Sequence, residues 1–165
     1  MTDGYEVARC DQTVYVRVHG LANMKNTPVL DEFLNRESEP GPLVACIDLG
    51  SCRGMDSTFM GTLVGHHHRL GKDGGKVVVV NPSPGNRRLL DMLGVSTVLP
   101  VIDGLAEVAA QFVTLEAGKA VTPVARAELM KTAHEHLIKL NDDNRSKFGP
   151  FLEALEKDLS RLQTD

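Results

Sequence analysis

The stretch Met55-Asp56-Ser57-Thr58-Phe59-Met60-Gly61 decides how the chain is read. Residues 43–47 before it form a continuous apolar run, and residues 60–70 after it carry apolar side chains at helical spacing. A short apolar run reads as a buried strand, and apolar recurrence every three to four residues reads as an amphipathic helix. Ser57 therefore falls where a strand hands over to a helix N-terminus. The first turn of a helix leaves backbone N–H groups unpaired, and the helix dipole adds partial positive charge there. A serine hydroxyl at that place can cap the helix, and a phosphoserine would be stabilised by it. The residues alone leave both uses open.

On a helix advancing about 100° per residue, Met60, Leu63, Val64, His67 and Leu70 form one stripe, with Ser57, Thr58, Gly61, Gly65 and Arg69 off it. Phe59 falls at the margin of that stripe, partly exposed beside Ser57. Gly71-Lys72-Asp73-Gly74-Gly75 then stops the helix.

Upstream, Val14, Val16 and Val18 alternate with Tyr15, Arg17 and His19, the pattern of a half-buried strand. With residues 7–10 it makes a hairpin, and Gly20 ends it. Thr27-Pro28 is a helix start, with Thr27 as cap, for a helix over residues 27–37 that Glu39-Pro40-Gly41-Pro42 breaks. Residues 50–54 read as a loop. Downstream, residues 76–80 are β-branched and strand-like. Asn81-Pro82-Ser83-Pro84 opens a helix over residues 86–93, closed by Gly94. A short strand at 98–101 and an amphipathic helix at 105–115 follow. The order β-β-α-β-α-β-α-β-α predicts an α/β fold: a mixed, mainly parallel sheet of about five strands with four helices.

Ala117-Gly118-Lys119-Ala120-Val121-Thr122-Pro123 reads as a joint. The division is a first domain over 1–117 and a C-terminal helical extension over 118–165. In the extension, residues 124–140 read as helix, residues 141–147 as a polar patch, and Phe148-Gly149-Pro150 as a break. Phe151, Leu152, Leu155, Leu159 and Leu162 then trace a stripe that needs a partner surface: its own domain, the other helix, or a second chain.

With 165 residues, 42% hydrophobic and 24% charged, the chain is an ordinary globular one. A net charge of −4 with scattered Lys and Arg gives no general attraction to nucleic acid or anionic membrane. Three cysteines without a C-x-x-C pair point to reduced thiols in a cytoplasmic protein, Cys10 and Cys46 as small core residues. No targeting segment begins at Met1, and no apolar run reaches the roughly 20 residues of a membrane span.

Metal and catalytic readings find little support. His66-His67-His68 fan out around a helix, with His67 on the buried stripe. His134-Glu135-His136 is not a H-E-x-x-H pair. Ser57 lacks the flanking glycines of a nucleophile elbow, and no side chain stands out as its base. Lys76 is followed by Val77, so the glycine-rich turn is not a phosphate loop. No catalytic residue, metal or cofactor is expected.

Over residues 7–115 the chain resembles the STAS domain family, of the anti-sigma factor antagonist type. The likeness rests, in order, on the strand ending His19-Gly20, the strand at 43–49, Asp56-Ser57-Thr58, Gly61, the strand at 77–80, Pro82-Ser83-Pro84 and Met92-Leu93-Gly94. The resemblance implies that Ser57 is phosphorylated by a partner kinase; Thr58 is the next hydroxyl, usually not the main acceptor. It implies a partner surface of Asn23, Asp56, Ser57, Thr58 and Phe59. The partners implied are an anti-sigma factor serine kinase and a phosphatase. Two positions depart from the family: Phe59 replaces the common glycine, and Asn23 an often acidic residue. These departures and the extension motivate a second reading, a non-switching STAS scaffold in a larger assembly or a homodimer held by the C-terminal helices.

Overall fold

Alternation along the second strand sets the inner face of the sheet. The computed structural model describes residues 2–39, 41–106, 108–117 and 120–164. Strand β1 (Gly4–Cys10) pairs antiparallel with β2 (Thr13–Ala22). Val14, Val16 and Val18 are fully buried in the core, while Arg17 and His19 turn to the other face, where His19 meets Glu6 at 2.6 Å.

Helix α1 (Thr27–Glu37) follows. Its cap is Asn26, not Thr27; the Thr27 hydroxyl instead donates to the Asn23 carbonyl at 2.7 Å. Strand β3 (Val44–Met55) runs through the expected loop at 50–54, because β2 keeps pairing with it, across two register shifts, as far as Ala22 and Met55. That extension carries the end of β3 up to the β2–α1 turn. Helix α2 (Ser57–Gly71), β4 (Lys76–Val80) and α3 (Pro84–Met92) complete the repeating part, with Ser83 capping α3 by accepting from Asn86 N–H at 3.1 Å.

After α3 two expectations are corrected. Gly94, at a φ of 76°, opens a 3-10 turn over Val95–Thr97, and the next strand, β5 (Val101–Ile102), starts later than predicted. Residues 105–115 do not form a helix; Glu107 lies outside the described residues. The Asn81 carboxamide clamps Leu105 in both directions, at 3.0 and 3.1 Å. Phe112 lies under the Arg17 guanidinium at 3.6 Å. Strand β6 (Val113–Thr114) then pairs with the edge of β1. An open sheet edge offers a row of unpaired backbone groups, and those bonds outcompete the local helical pattern. The sheet order is β5-β4-β3-β2-β1-β6, parallel from β2 to β5.

Helix α4 (Pro123–Ile138), capped by Thr122, lies against α2, and α5 (Asp142–Thr164) against α4. Leu137 of α4 is fully buried in the same core as the strands. The turn between α4 and α5 is made by Asn141, whose side chain accepts from Asn144 N–H at 2.8 Å. The break expected at Phe148-Gly149-Pro150 does not occur: Pro150 sits inside α5. Both Pro150 and Ser146, whose carbonyl it leaves unpaired within the helix, lie on the exposed side where water can bond that oxygen. Buried Asn144 donates to the Leu93 and Leu137 carbonyls at 2.7 and 2.9 Å, tying α5 to the ends of α3 and α4. Of the α5 stripe, Leu152, Leu155 and Leu159 are buried and Phe151 and Leu162 are exposed. Cys46 and Cys52 are buried; Cys10, expected in the core, is exposed at the β1–β2 turn.

Candidate functional site: the start of helix α2

The long β3 and the end of β2 deliver two loops to one edge of the sheet. Asp56 joins them. One carboxylate oxygen accepts from Phe59 N–H at 2.9 Å, and the other from Met24 N–H at 2.8 Å. Asp56 therefore caps α2 and fixes the β2–α1 turn at once. Its own N–H donates to the Ala22 carbonyl at 3.0 Å. The capping use of Ser57 left open by the sequence is thus taken by its neighbour. Ser57 occupies the first helical position with a hydroxyl that caps nothing.

That hydroxyl is bonded elsewhere, to Nε2 of His134 at 2.8 Å. The other ring nitrogen, Nδ1, lies 2.6 Å from the Met130 carbonyl. A carbonyl can only accept, so Nδ1 carries the proton, Nε2 is the acceptor and Ser57 is the donor. His134 is 2% exposed. The rings of Phe148 and Phe151 stand over it, with centroids at 5.1 and 4.7 Å. Burial holds its pKa below the ordinary 6.5, against smaller opposing effects of the Met130 carbonyl and the Asp56 charge. The imidazole is neutral at physiological pH.

The other residues expected at the partner surface are distributed unevenly. Asn23 is half-buried in the β2–α1 turn, its carboxamide oxygen accepting from Lys25 N–H at 3.0 Å, on the loop that Asp56 fixes. Thr58 is buried, which leaves Ser57 as the hydroxyl with access to solvent. Phe59, expected partly exposed, is fully buried in the core. The single-stripe reading of α2 failed because α1 and α4 cover its flanks in addition to the sheet. The same cause moves the buried histidine. His66, not His67, is the core one; it bonds Asp31 at 2.6 Å and accepts from Arg69 at 2.7 Å. His67 is half-buried and accepts from Val77 N–H at 3.1 Å.

Two features escaped the sequence reading. Leu21 at the end of β2 and Met24 in the turn that Asp56 holds expose apolar surface. Their position at a tight polar loop was the available signal. His134 lies 77 positions from Ser57, and no local spacing points to it. Among the described residues, no group of three or more His, Cys, Asp or Glu is placed to hold a metal ion.

The sequence of the sheet-forming part matches a known family. The STAS domain model matches residues 5–108, and the chain belongs to that family. It is similar to the anti-sigma F factor antagonist of Paenibacillus polymyxa, 32% identical over 57 residues, which are 34% of this chain and 49% of the relative. The match thus spans about half the length of that curated relative. The fold is that of the anti-sigma factor antagonist SpoIIAA in its unphosphorylated form, with a TM-score of 0.53 at 18% identity. That alignment covers 62% of this chain and 89% of SpoIIAA. The phosphorylated form of this Bacillus cell fate determinant aligns with the same TM-score of 0.53 and 18% identity, over 62% of this chain and 92% of that one. No helix among the described residues is long and apolar enough to cross a membrane.

Proposed function

We propose that this chain is an anti-sigma factor antagonist-like binding module of a bacterial cytoplasm, switched by phosphorylation of Ser57. Unmodified, it binds an anti-sigma factor that is a serine kinase, and so frees a sigma factor. The kinase transfers the terminal phosphoryl group of a nucleoside triphosphate. The bond from that phosphorus to its bridging oxygen breaks, a bond to Ser57 Oγ forms, and the hydroxyl proton leaves. A phosphatase restores the hydroxyl.

The observation that carries this reading is the division of labour at the α2 start. Asp56 does the capping, so the Ser57 hydroxyl stands at a helix N-terminus without being needed as its cap. A phosphate there adds about −1.5 to −2 charges. The helix dipole accommodates it locally. An acidic or apolar partner surface seated over Asn23, Met24 and Ser57 is repelled. The test is binding of the copurified partner followed by ATP addition. Ser57→Ala is expected to bind and stay bound, and Ser57→Asp to bind at least about ten-fold more weakly. Equal binding of Ser57→Asp and the unmodified chain overturns the switch.

A second reading, a non-switching STAS scaffold, is favoured by one observation: the Ser57 hydroxyl is already engaged by His134 of the chain's own extension. On that reading Ser57 is a structural donor and carries no phosphate in the cell.

A further inference from the structure

We propose that α4 and α5 form a cover over the α2 start, latched by the bond from Ser57 to His134, and that modification of Ser57 and docking at this face require the cover to open. The inference rests on the reading of Ser57 as a phosphoacceptor and adds its regulation.

The seat of the cover is built into α2. A methyl group on Gly61 would overlap the backbone carbonyl of Ala133, and one on Gly65 would press on the His136 ring at 2.8 Å. Two missing side chains, one helical turn apart, let α4 come down onto α2 at backbone distance. One turn N-terminal of Gly61, Ser57 meets His134 at the same crossing. Phe148 and Phe151 of α5 close over that imidazole. A kinase active site needs the Ser57 oxygen in line with its phosphoryl donor, and the buried His134 ring now holds that oxygen.

The cover lies beyond the part of the chain that the family model matches. The family match ends at residue 108, and SpoIIAA is aligned over 89% of its length using 62% of this chain. Leu137 seats the cover in the core, and two polar bonds fasten it further. Ser57 to His134 and Asn144 to the Leu93 carbonyl are bonds that water replaces when the helices lift.

The latch also responds to the modification itself. Phosphorylated Ser57 has no hydroxyl proton to give, so its oxygens would face the lone pair of a neutral Nε2 beside the Asp56 carboxylate. A phosphate in that half-buried place, pressed against the imidazole lone pair and the Asp56 charge, is unfavourable while the cover is closed. Once opened and modified, the cover is held off, and removal of the phosphate lets it return.

The experiment uses the full chain. Hydrogen exchange on the unmodified protein is expected to show α4 and α5 opening as one unit, at least ten-fold more often than β2 and β3. Ser57→Cys is then alkylated with iodoacetamide and the peptide read by mass. Alkylation is expected to be slow, and at least ten-fold faster when His134→Ala or Leu137→Ala is added, with sheet protection retained as the check on folding. Exchange of α4 no faster than the sheet, or alkylation indifferent to both added substitutions, overturns the cover.

A parallel incubation with ATP and extract of the native cell separates the two ideas. Phosphate on Ser57 at equal rates in the unmodified chain and His134→Ala overturns the cover and leaves the phosphoacceptor standing. A cover that protects the thiol of the Ser57→Cys variant, with no phosphate on Ser57 even in His134→Ala, overturns the phosphoacceptor and leaves the cover standing.

Discussion

The Ser57 hydroxyl donates to His134 Nε2 at 2.8 Å across 77 positions of sequence, joining the first turn of α2 to the middle of the C-terminal extension. The bond is half-shielded on the serine side and buried on the histidine side. A buried hydrogen bond between neutral groups contributes about 1 kcal/mol net. A double-mutant cycle of Ser57→Ala and His134→Ala, read from denaturant midpoints, should return a coupling of about 1 kcal/mol. His134→Ala alone should cost about 2–3 kcal/mol, since it also vacates the space under Phe148 and Phe151. A coupling near zero means the two side chains do not meet in solution.

Gly61→Ala gives the opposite of what helix propensity predicts. Alanine in place of glycine favours an isolated helix by about 1 kcal/mol. Here the added methyl meets backbone, the Ala133 carbonyl, which cannot rotate away. The substitution should therefore destabilise the chain by about 2 kcal/mol, with the loss confined to protection of α4 and α5. A stabilised Gly61→Ala would show that α4 does not cross α2 at this point.

The cover should weaken in acid, and the sign follows from His134. Its folded pKa lies below the ordinary 6.5 because burial disfavours the charged ring. The opened or unfolded chain thus takes up the proton first as pH falls. The stability that neutral His134 provides is complete above 6.5 and is lost as pH falls from there through the depressed value. Of the neighbours, Asp56 opposes the shift weakly, and α5 presents the Phe148 and Phe151 rings. His136 on α4 is lowered as well, chiefly by burial, and adds to the trend. Opening of α4 measured by hydrogen exchange, corrected for intrinsic rates, should rise relative to the sheet below about pH 6. His134→Gln should remove much of that dependence; an unchanged pH profile in that variant contradicts the assignment.

The sequence showed the parts that local chemistry fixes. Alternation in residues 14–18 and the glycine stop after α2 appear where the residues place them, and the proline-led helices start within two residues of their expected places. The place of Ser57 at the start of α2 was legible because a strand-to-helix handover is a local event. What failed was everything decided by a distant neighbour. Residues 105–115 carry a helical pattern, yet Asn81 binds Leu105, Arg17 lies over Phe112 and the β1 edge pairs with Val113 and Thr114. Phe59 looked marginal on a one-sided helix and is buried, as is His66, because α1 and α4 flank α2. His134 was weighed only against metal spacing. Its role depends on a fold-back that periodicity cannot report.

Phe59 illustrates the consequence for mutagenesis. Fully buried among core residues, it cannot serve as an exposed contact in this conformation. Phe59→Ala should cost about 3–5 kcal/mol through the cavity it leaves. Phe59→Leu should be tolerated far better and leave partner binding unchanged once folding is matched. A Phe59→Leu variant that folds fully but loses its partner would return this side chain to the interface.

The phosphoacceptor assignment is tested most directly by peptide-resolved mass spectrometry of the chain from its native cell, with and without phosphatase treatment. The account predicts one phosphate on the peptide containing Ser57, removed by phosphatase and absent from Ser57→Ala. A chain that carries no phosphate on Ser57 under any growth condition, or carries it on another residue and still responds to ATP in Ser57→Ala, contradicts it.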